Sequence, residues 1–175
     1  MKRNKFFLYI FIFSLFFSLN NLNAETVVYI DMDKIMQVSK AGKSATEKLN
    51  KINESNIKKF TKLEKQLKKD EEDLISKRNV LSQDEFEKKI QALRNKVNEY
   101  RKERQQAIEE VTKKRINAST DFAQKIKPIL AEYAKEKSID IVIQKKNILM
   151  GKSNLDITNE ILIIVDKKIS KLNID

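Results

Sequence analysis

Basic residues in closely spaced runs are the part of this sequence with the clearest chemical potential. Lys58-Lys59, Lys68-Lys69, Lys88-Lys89, Arg101-Lys102 with Arg104, and Lys113-Lys114-Arg115 could each grip phosphates or carboxylates. Any one run is better explained as a solvated helix face supported by neighbouring acids, as Glu54 supports Lys58 four residues on; the net charge of the whole arm is harder to dismiss. Acidic clusters offer less. Asp70-Glu71-Glu72-Asp73 falls within a helical pattern, where successive carboxylates diverge, whereas hard cations need converging oxygens. Asp31 and Asp33 flank Met32 and fit turn formation or capping better than acid–base work.

The residues of common catalytic machinery are missing. There is no His and no Cys, which removes the commonest general base and the thiol nucleophile. Two isolated glycines, Gly42 and Gly151, cannot form a phosphate-binding loop. No catalytic, cofactor-binding or metal-binding residue is assigned, no cofactor is expected, and the protein is expected not to be an enzyme. Without Cys no disulfide can clamp the fold.

The elements that must carry the basic runs are two long charged stretches. The first places Leu49, Ile52, Phe60, Leu63, Leu67 and Leu74 at three- and four-residue steps, with Asn56 and Asp70 in the seam. The second continues through Phe86, Ile90, Leu93, Val97 and Tyr100, then Ala107, Val111, Ala118 and Phe122, with Arg104 and Arg115 expected to break the line. Such spacing gives each helix one narrow apolar stripe. Polar seam positions either specify register or let the arm flex. Ser82 and Glu85 match a capping box before Phe86, so the chain is expected to turn between about 76 and 82 and to return antiparallel. A single continuous helix is the competing reading. A second Ser-x-x-Glu pair, Ser44 and Glu47, places the start of the first arm helix near Ser44, after a break at Gly42. Pro128 predicts a bend in the return helix, which is expected to reach about Lys137.

The flanks read as a small β-containing head. Thr26 to Ile30 is β-branched and aromatic, and reads as a strand. Asp31 to Val38 reads as a helical turn or loop with Ile35, Met36 and Val38 turned inward. Ile139 to Ile143 reads as another strand, with Ile148 to Met150 returning beside it as a hairpin. Asp156 or Thr158 would cap a last helix with Ile161, Ile164, Val165, Ile169 and Leu172 on its apolar face. The fold class is thus mainly α with a small β head (α+β). Residues 1–24 form a signal peptide, residues 25–42 and 128–175 the head, and residues 43–127 an inserted antiparallel coiled-coil hairpin arm.

Lys2, Arg3 and Lys5 precede a 14-residue apolar run, Phe6 to Leu19, followed by a polar stretch and Ala24. This is the layout of a cleavable secretory signal, and the run is short for a bilayer span. An uncleaved anchor is the alternative. Six of the nine Phe lie in this leader, so few large apolar groups remain to build a core. Association of several chains is expected to supply the missing burial. The chain carries +11, and residues 43–115 alone carry +7, so long-range attraction to acidic partners falls on the arm.

The strand Val27-Val28-Tyr29-Ile30-Asp31-Met32, the basic hairpin, the strand Ile139-Asp140-Ile141-Val142-Ile143 and the helix start Asp156-Ile157-Thr158 follow a signal sequence in that order. This arrangement resembles the Skp/OmpH family of periplasmic chaperones of Gram-negative bacteria, over the whole chain after the leader. The resemblance implies a homotrimer whose strands form a shared β head, with three arms around a central cavity. It implies an ATP-independent holdase that binds unfolded outer-membrane proteins there and prevents their aggregation. Val27, Val28, Ile30, Ile141, Val142, Ile143 and Leu149 would assemble the head. Lys58, Lys59, Lys68, Lys69, Lys88, Lys89, Arg101, Lys102 and Arg104 would attract clients. Some members are also linked to lipopolysaccharide, and the basic runs could meet such a surface or an acidic lipid, but no matching cluster is carried over. A basic coiled-coil nucleic-acid-binding protein and a structural envelope adaptor are the competing functions; export opposes the first.

Overall fold

The computed structural model describes residues 25–175. The leader assigned to residues 1–24 lies outside them. Strand β1 (Val27–Ile30) leads into the short helix α1 (Met32–Val38), and then into the arm helices α2 (Lys40–Ser76) and α3 (Gln83–Lys137). Strand β2 (Ile141–Gln144), two 3-10 turns (Lys145–Asn147 and Ser153–Leu155) and helix α4 (Thr158–Lys168) complete the chain. At ~1.5 Å per residue, α2 is about 55 Å long and α3 about 80 Å. No helix among the described residues is long and apolar enough to cross a membrane.

The hairpin forms as its sequence dictates. α2 ends at Ser76, and the Ser82–Glu85 capping box opens α3. The Ser82 hydroxyl accepts from the Glu85 N–H, and the Glu85 carboxylate accepts from the Ser82 N–H at 3.1 Å. The Ser82 hydroxyl also donates to the Glu85 carboxylate at 2.7 Å, and this bond, followed by the one from the Ser82 N–H, holds the Glu85 carboxyl below its ordinary range. Between the helices runs one seam, with Phe60 and Tyr100 edge to face at 6.0 Å between ring centres. α3 runs through Pro128 without interruption.

The start of the first arm helix lies four residues earlier than its sequence suggests. Ser39, fully buried, caps it by accepting from the Gly42 N–H at 3.2 Å, so the Ser44–Glu47 pair lies inside the helix and does not start it. Nor is Gly42 a break. A Cβ there would fall 1.7 Å from the Met36 carbonyl oxygen, so glycine is required where α1 and α2 cross closely. In α1, Asp31 caps by accepting from the Lys34 N–H at 2.9 Å. Ile35 is buried, but Val38, expected inside, is 37% exposed because the tight junction at Ser39 turns it outward.

The expected C-terminal hairpin does not form. β2 pairs in parallel with β1, Val27 opposite Ile141 through Ile30 opposite Gln144. The Ser138 left-handed residue ends α3 and delivers the chain directly into that register, with Asp140 and Thr26 exchanging hydrogen bonds. Ile148 to Met150 is not a strand, and Leu149 and Met150 are turned fully into solvent. Tyr29 anchors the intervening loop: its hydroxyl donates to the Lys152 carbonyl at 3.2 Å, and its ring packs where Gly151 has no side chain.

The core gathers both ends of the chain against the root of the arm. Ile30, Ile35, Ala41, Ala118, Phe122, Ile126, Ile161 and Val165 form one buried cluster. Neither Asp156 nor Thr158 occupies the cap position of α4: Ile157 does, with no capping side chain, while Asp156 just before it accepts from the Thr158 N–H at 3.0 Å and from its hydroxyl. Ile169 and Leu172, beyond the end of α4, remain buried because the tail lies back against α3. There Asn117 donates to the Asp175 carbonyl at 2.6 Å and Lys125 to the Lys171 carbonyl at 3.0 Å.

Candidate functional site

An antiparallel pair of helices with one seam has two flanking faces. Residues one step past each seam position on α2 and on α3 rotate to the same side, because reversing a helix also reverses its sense of rotation. Residues one step before the seam share the opposite side. The two faces of this arm differ in chemistry.

The face before the seam is stitched by ion pairs. Lys59 Nζ lies 2.7 Å from Glu103 Oε2, and Lys96 Nζ lies 2.7 Å from Asp70 Oδ2. Lys96 and Gln66 both donate to Asp70 and hold its carboxyl below the ordinary carboxylate range. A shallow hollow of about 250 Å³ lies here among Asp73, Lys77, Lys89 and Ala92. These pairs are solvent-exposed, so each contributes at most about 1 kcal/mol, but they cross between helices and fix register. Glu103 and Lys114 take the seam positions assigned by sequence to Arg104 and Arg115, which point outward one step later. The shift follows from the step of three from Tyr100 to Glu103, whose carboxylate is neutralised by Lys59.

The face past the seam is an apolar groove edged by cations. One hollow of about 750 Å³ runs from Glu64 to Ile75 on α2, against Phe86, Ile90, Arg94 and Arg101 on α3. A second of about 310 Å³ continues it from Glu64 back to Asn53, against Tyr100, Arg104 and Ile108. Ile57, Ile75 and Ile108 stand 57%, 64% and 51% exposed. Among the described residues every ion pair uses lysine, and Arg94, Arg101 and Arg104 make none.

The nine cations expected to attract clients therefore do not converge. Lys68, Arg101 and Arg104 edge the groove. Lys59 is tied to Glu103, Lys89 borders the opposite hollow and Lys102 lies beside Glu103 on that side. Lys58, Lys69 and Lys88 are exposed. Sequence reading by charge runs passed over Arg94, Ile57, Ile75 and Ile108. Their signal was position: each directly follows a seam residue.

In the head, Val28 and Ile30 are buried within the chain's own core, and Val27, Val142 and Ile143 are half-buried. Ile141 is 44% exposed on β2, whose outer edge pairs with no strand among the described residues. Leu149 stands apart from this group on the exposed loop. Lys145 bridges the region, 3.2 Å from Asp156 Oδ2 and 4.0 Å from Asp31 Oδ2. Its hydrogen bond to Asp156 raises the lysine's pKa. Burial alone would raise the Asp156 carboxyl, but the Thr158 hydroxyl and N–H and the Lys145 ammonium outweigh it and leave it lowered. Among the described residues no cluster of acidic side chains is arranged to hold a metal ion.

This combination of a small parallel strand pair, one crossing helix and a very long hairpin has counterparts. The family model for OmpH-like outer membrane proteins matches residues 26–164. The chain belongs to the OmpH-like family. A Skp-like protein of Chlamydia pneumoniae is 23% identical over 150 residues, covering 83% of this chain and 86% of that one. The crystal structure of an OmpH-like protein of Caulobacter crescentus CB15, a candidate outer membrane chaperone, superposes with a TM-score of 0.78 at 18% identity. It covers 87% of this chain and 90% of that one. The mostly helical OmpH-like fold, a long hairpin on a small strand head, is thus common to both.

Proposed function

We propose that this OmpH-like protein is an ATP-independent holdase of the periplasm, which shelters unfolded outer-membrane proteins between its arms and keeps them from aggregating. Membership of the OmpH-like family supports a chaperone role. The observation that carries the reading is the arm itself. Two helices of 37 and 55 residues share one seam and leave isoleucines and arginines on the same outer face. A surface of many shallow apolar and cationic contacts holds unfolded chains weakly at many points, as reversible shelter requires.

Three copies would join through the head. The open edge of β2 and the exposed Ile141 favour strand-to-strand association, since an unpaired edge is a ready template for pairing. Val27, Val28, Ile30, Val142 and Ile143 would support that head from within, and Leu149 would meet a neighbouring chain. The leader of residues 1–24 would direct export, and the +7 arm would draw acidic precursors by long-range attraction.

Two measurements test the reading together. Sedimentation of the purified protein should give a trimer at micromolar concentration. The same material should keep a urea-diluted outer-membrane barrel protein soluble without nucleotide. A stable monomer, or clients that precipitate as fast with the protein as without it, would overturn the proposal. A single fixed partner and no effect on unfolded barrels would favour an envelope adaptor.

A further inference from the structure

The groove on the arm has a periodicity of its own. Ile57, Glu64 and Glu71 recur at seven-residue steps on one wall. Arg94, Arg101 and Ile108 do so on the other, and Arg115 extends the row. Each step is ~10.5 Å along a helix. An extended chain rises ~3.3 Å per residue, so ~10.5 Å corresponds to about three residues, and side chains three apart point to opposite sides of a strand. A strand cannot offer consecutive side chains of one face to both Arg94 and Arg101. A helix can, because its own residues seven apart share a face at the same ~10.5 Å spacing.

Charge and apolar surface identify the kind of helix. Lys68, Arg94, Arg101 and Arg104 outnumber Glu64 and Glu71 along the groove. The arginines have no carboxylate partner among the described residues, whereas Lys59 and Lys96 of the opposite face do. A guanidinium fork matches a carboxylate in two parallel hydrogen bonds. The groove extends from Asn53 to Ile75, about 33 Å at ~1.5 Å per residue, which accommodates three heptads. We propose that this groove is a docking site for an acidic amphipathic helix, laid as a third helix against α2 and α3. Its apolar stripe would cover Ile57, Ile75 and Ile108, and glutamates or aspartates at its flanks would meet Arg94, Arg101 and Arg104. This partner class differs from unfolded barrels, although it would occupy the same face of the arm on which the proposed shelter of unfolded chains rests.

The test uses a fluorescein-labelled 21-residue peptide of three heptads, with Leu at a and d, Glu at e and g, and Gln elsewhere. Its control has the same composition with Leu and Glu alternating. Anisotropy should show the heptad peptide binding the purified protein about tenfold more tightly than the control, and circular dichroism should show added helix on mixing. R94Q/R101Q and I57S/I108S should each weaken binding about tenfold, while K58Q/K69Q, equal in charge change but off the groove, should change it less than about twofold. Equal losses in R94Q/R101Q and K58Q/K69Q would show bulk attraction and overturn the site. So would equal affinity for the alternating peptide. If phosphatidylglycerol vesicles, and not the peptide, depend on Arg94 and Arg101, the groove reads lipid and the proposal fails. Suppression of barrel aggregation, measured in parallel on the same variants, reports separately on the holdase.

Discussion

The Asn173 backbone N–H donates to the Asp121 carboxylate at 2.8 Å, joining the tail beyond α4 to the root of the long helix α3. Lys125 completes the joint, 2.7 Å from the same carboxylate while also donating to the Lys171 carbonyl. Lys114 lies 3.6 Å from the Asp175 carboxylate. The arm is therefore fastened to the head by a strap as well as by the core beneath it.

Replacing Asp121 with Ala removes one acceptor from two donors at once. The expected loss is about 1–2 kcal/mol in urea denaturation, because the Asn173 N–H and the Lys125 ammonium lose their shared partner. Hydrogen exchange should quicken in residues 169–175 more than at the arm tip. Uniform quickening would show that the strap has no local role.

Acid should loosen the same joint. The Lys125 ammonium, and then the Asn173 N–H, hold the Asp121 carboxyl below its ordinary value of 3.8. The folded state therefore takes up this proton less readily than the unfolded chain. Its contribution is complete above the ordinary aspartate range and disappears as pH falls through the lower folded value. Asp156 and Asp70, also lowered, act in the same direction. The urea midpoint should fall between pH 6 and about pH 3, and D121N should fall less steeply than the parent across that window.

Gly42→Ala should be among the most damaging single-methyl changes. The added carbon would fall 1.7 Å from a backbone carbonyl that no side-chain rotation can move. A loss above about 2 kcal/mol is expected, with Lys43→Ala, exposed beside it, within about 0.5 kcal/mol of the parent. Thermal unfolding of the two variants side by side decides it, and comparable stabilities would contradict the close crossing of α1 and α2.

At the far end, Ser82→Ala removes the reciprocal cap that starts α3. The cost should be about 1 kcal/mol. It should be confined to the arm tip, where Leu74, Leu81 and Phe86 are only half-buried and the nearest large core cluster is far along the hairpin. Faster amide exchange around residues 76–90 with an unchanged core is the expected pattern.

Ile161→Ala tests the opposite extreme. This side chain is fully buried where α4 meets α1 and the strands, so its truncation leaves a cavity that costs about 2–5 kcal/mol. Ile163→Ala, on the exposed side of the same helix, should cost little. Similar midpoints for both would place α4 outside the core.

The arm was legible because its determinants are local. Seam spacing from Leu49 to Leu74 and from Phe86 to Phe122 sets helix and stripe, and Ser82 with Glu85 sets the turn through bonds three residues apart. The last helix was legible for the same reason, through the spacing of Ile161 and Val165, although its cap position falls on Ile157 and not on Asp156 or Thr158. Distant relations were not. Ile148 to Met150 is apolar enough for a strand, yet β2 pairs with β1 more than a hundred residues earlier, a choice made by where Ser138 releases the chain. Gly42 resembles a break until the Met36 carbonyl is seen against it. Ser39 outcompetes Ser44 as a cap only once α1 packs there. Charge runs located cationic residues but could not sort them by face, because a one-residue shift at Glu103 decides which side of the hairpin Arg104 joins. Sequence alone determined what repeats every three or four residues; the tertiary structure decided what meets across the hairpin and between the chain's two ends, since those contacts depend on register and approach that no local pattern encodes.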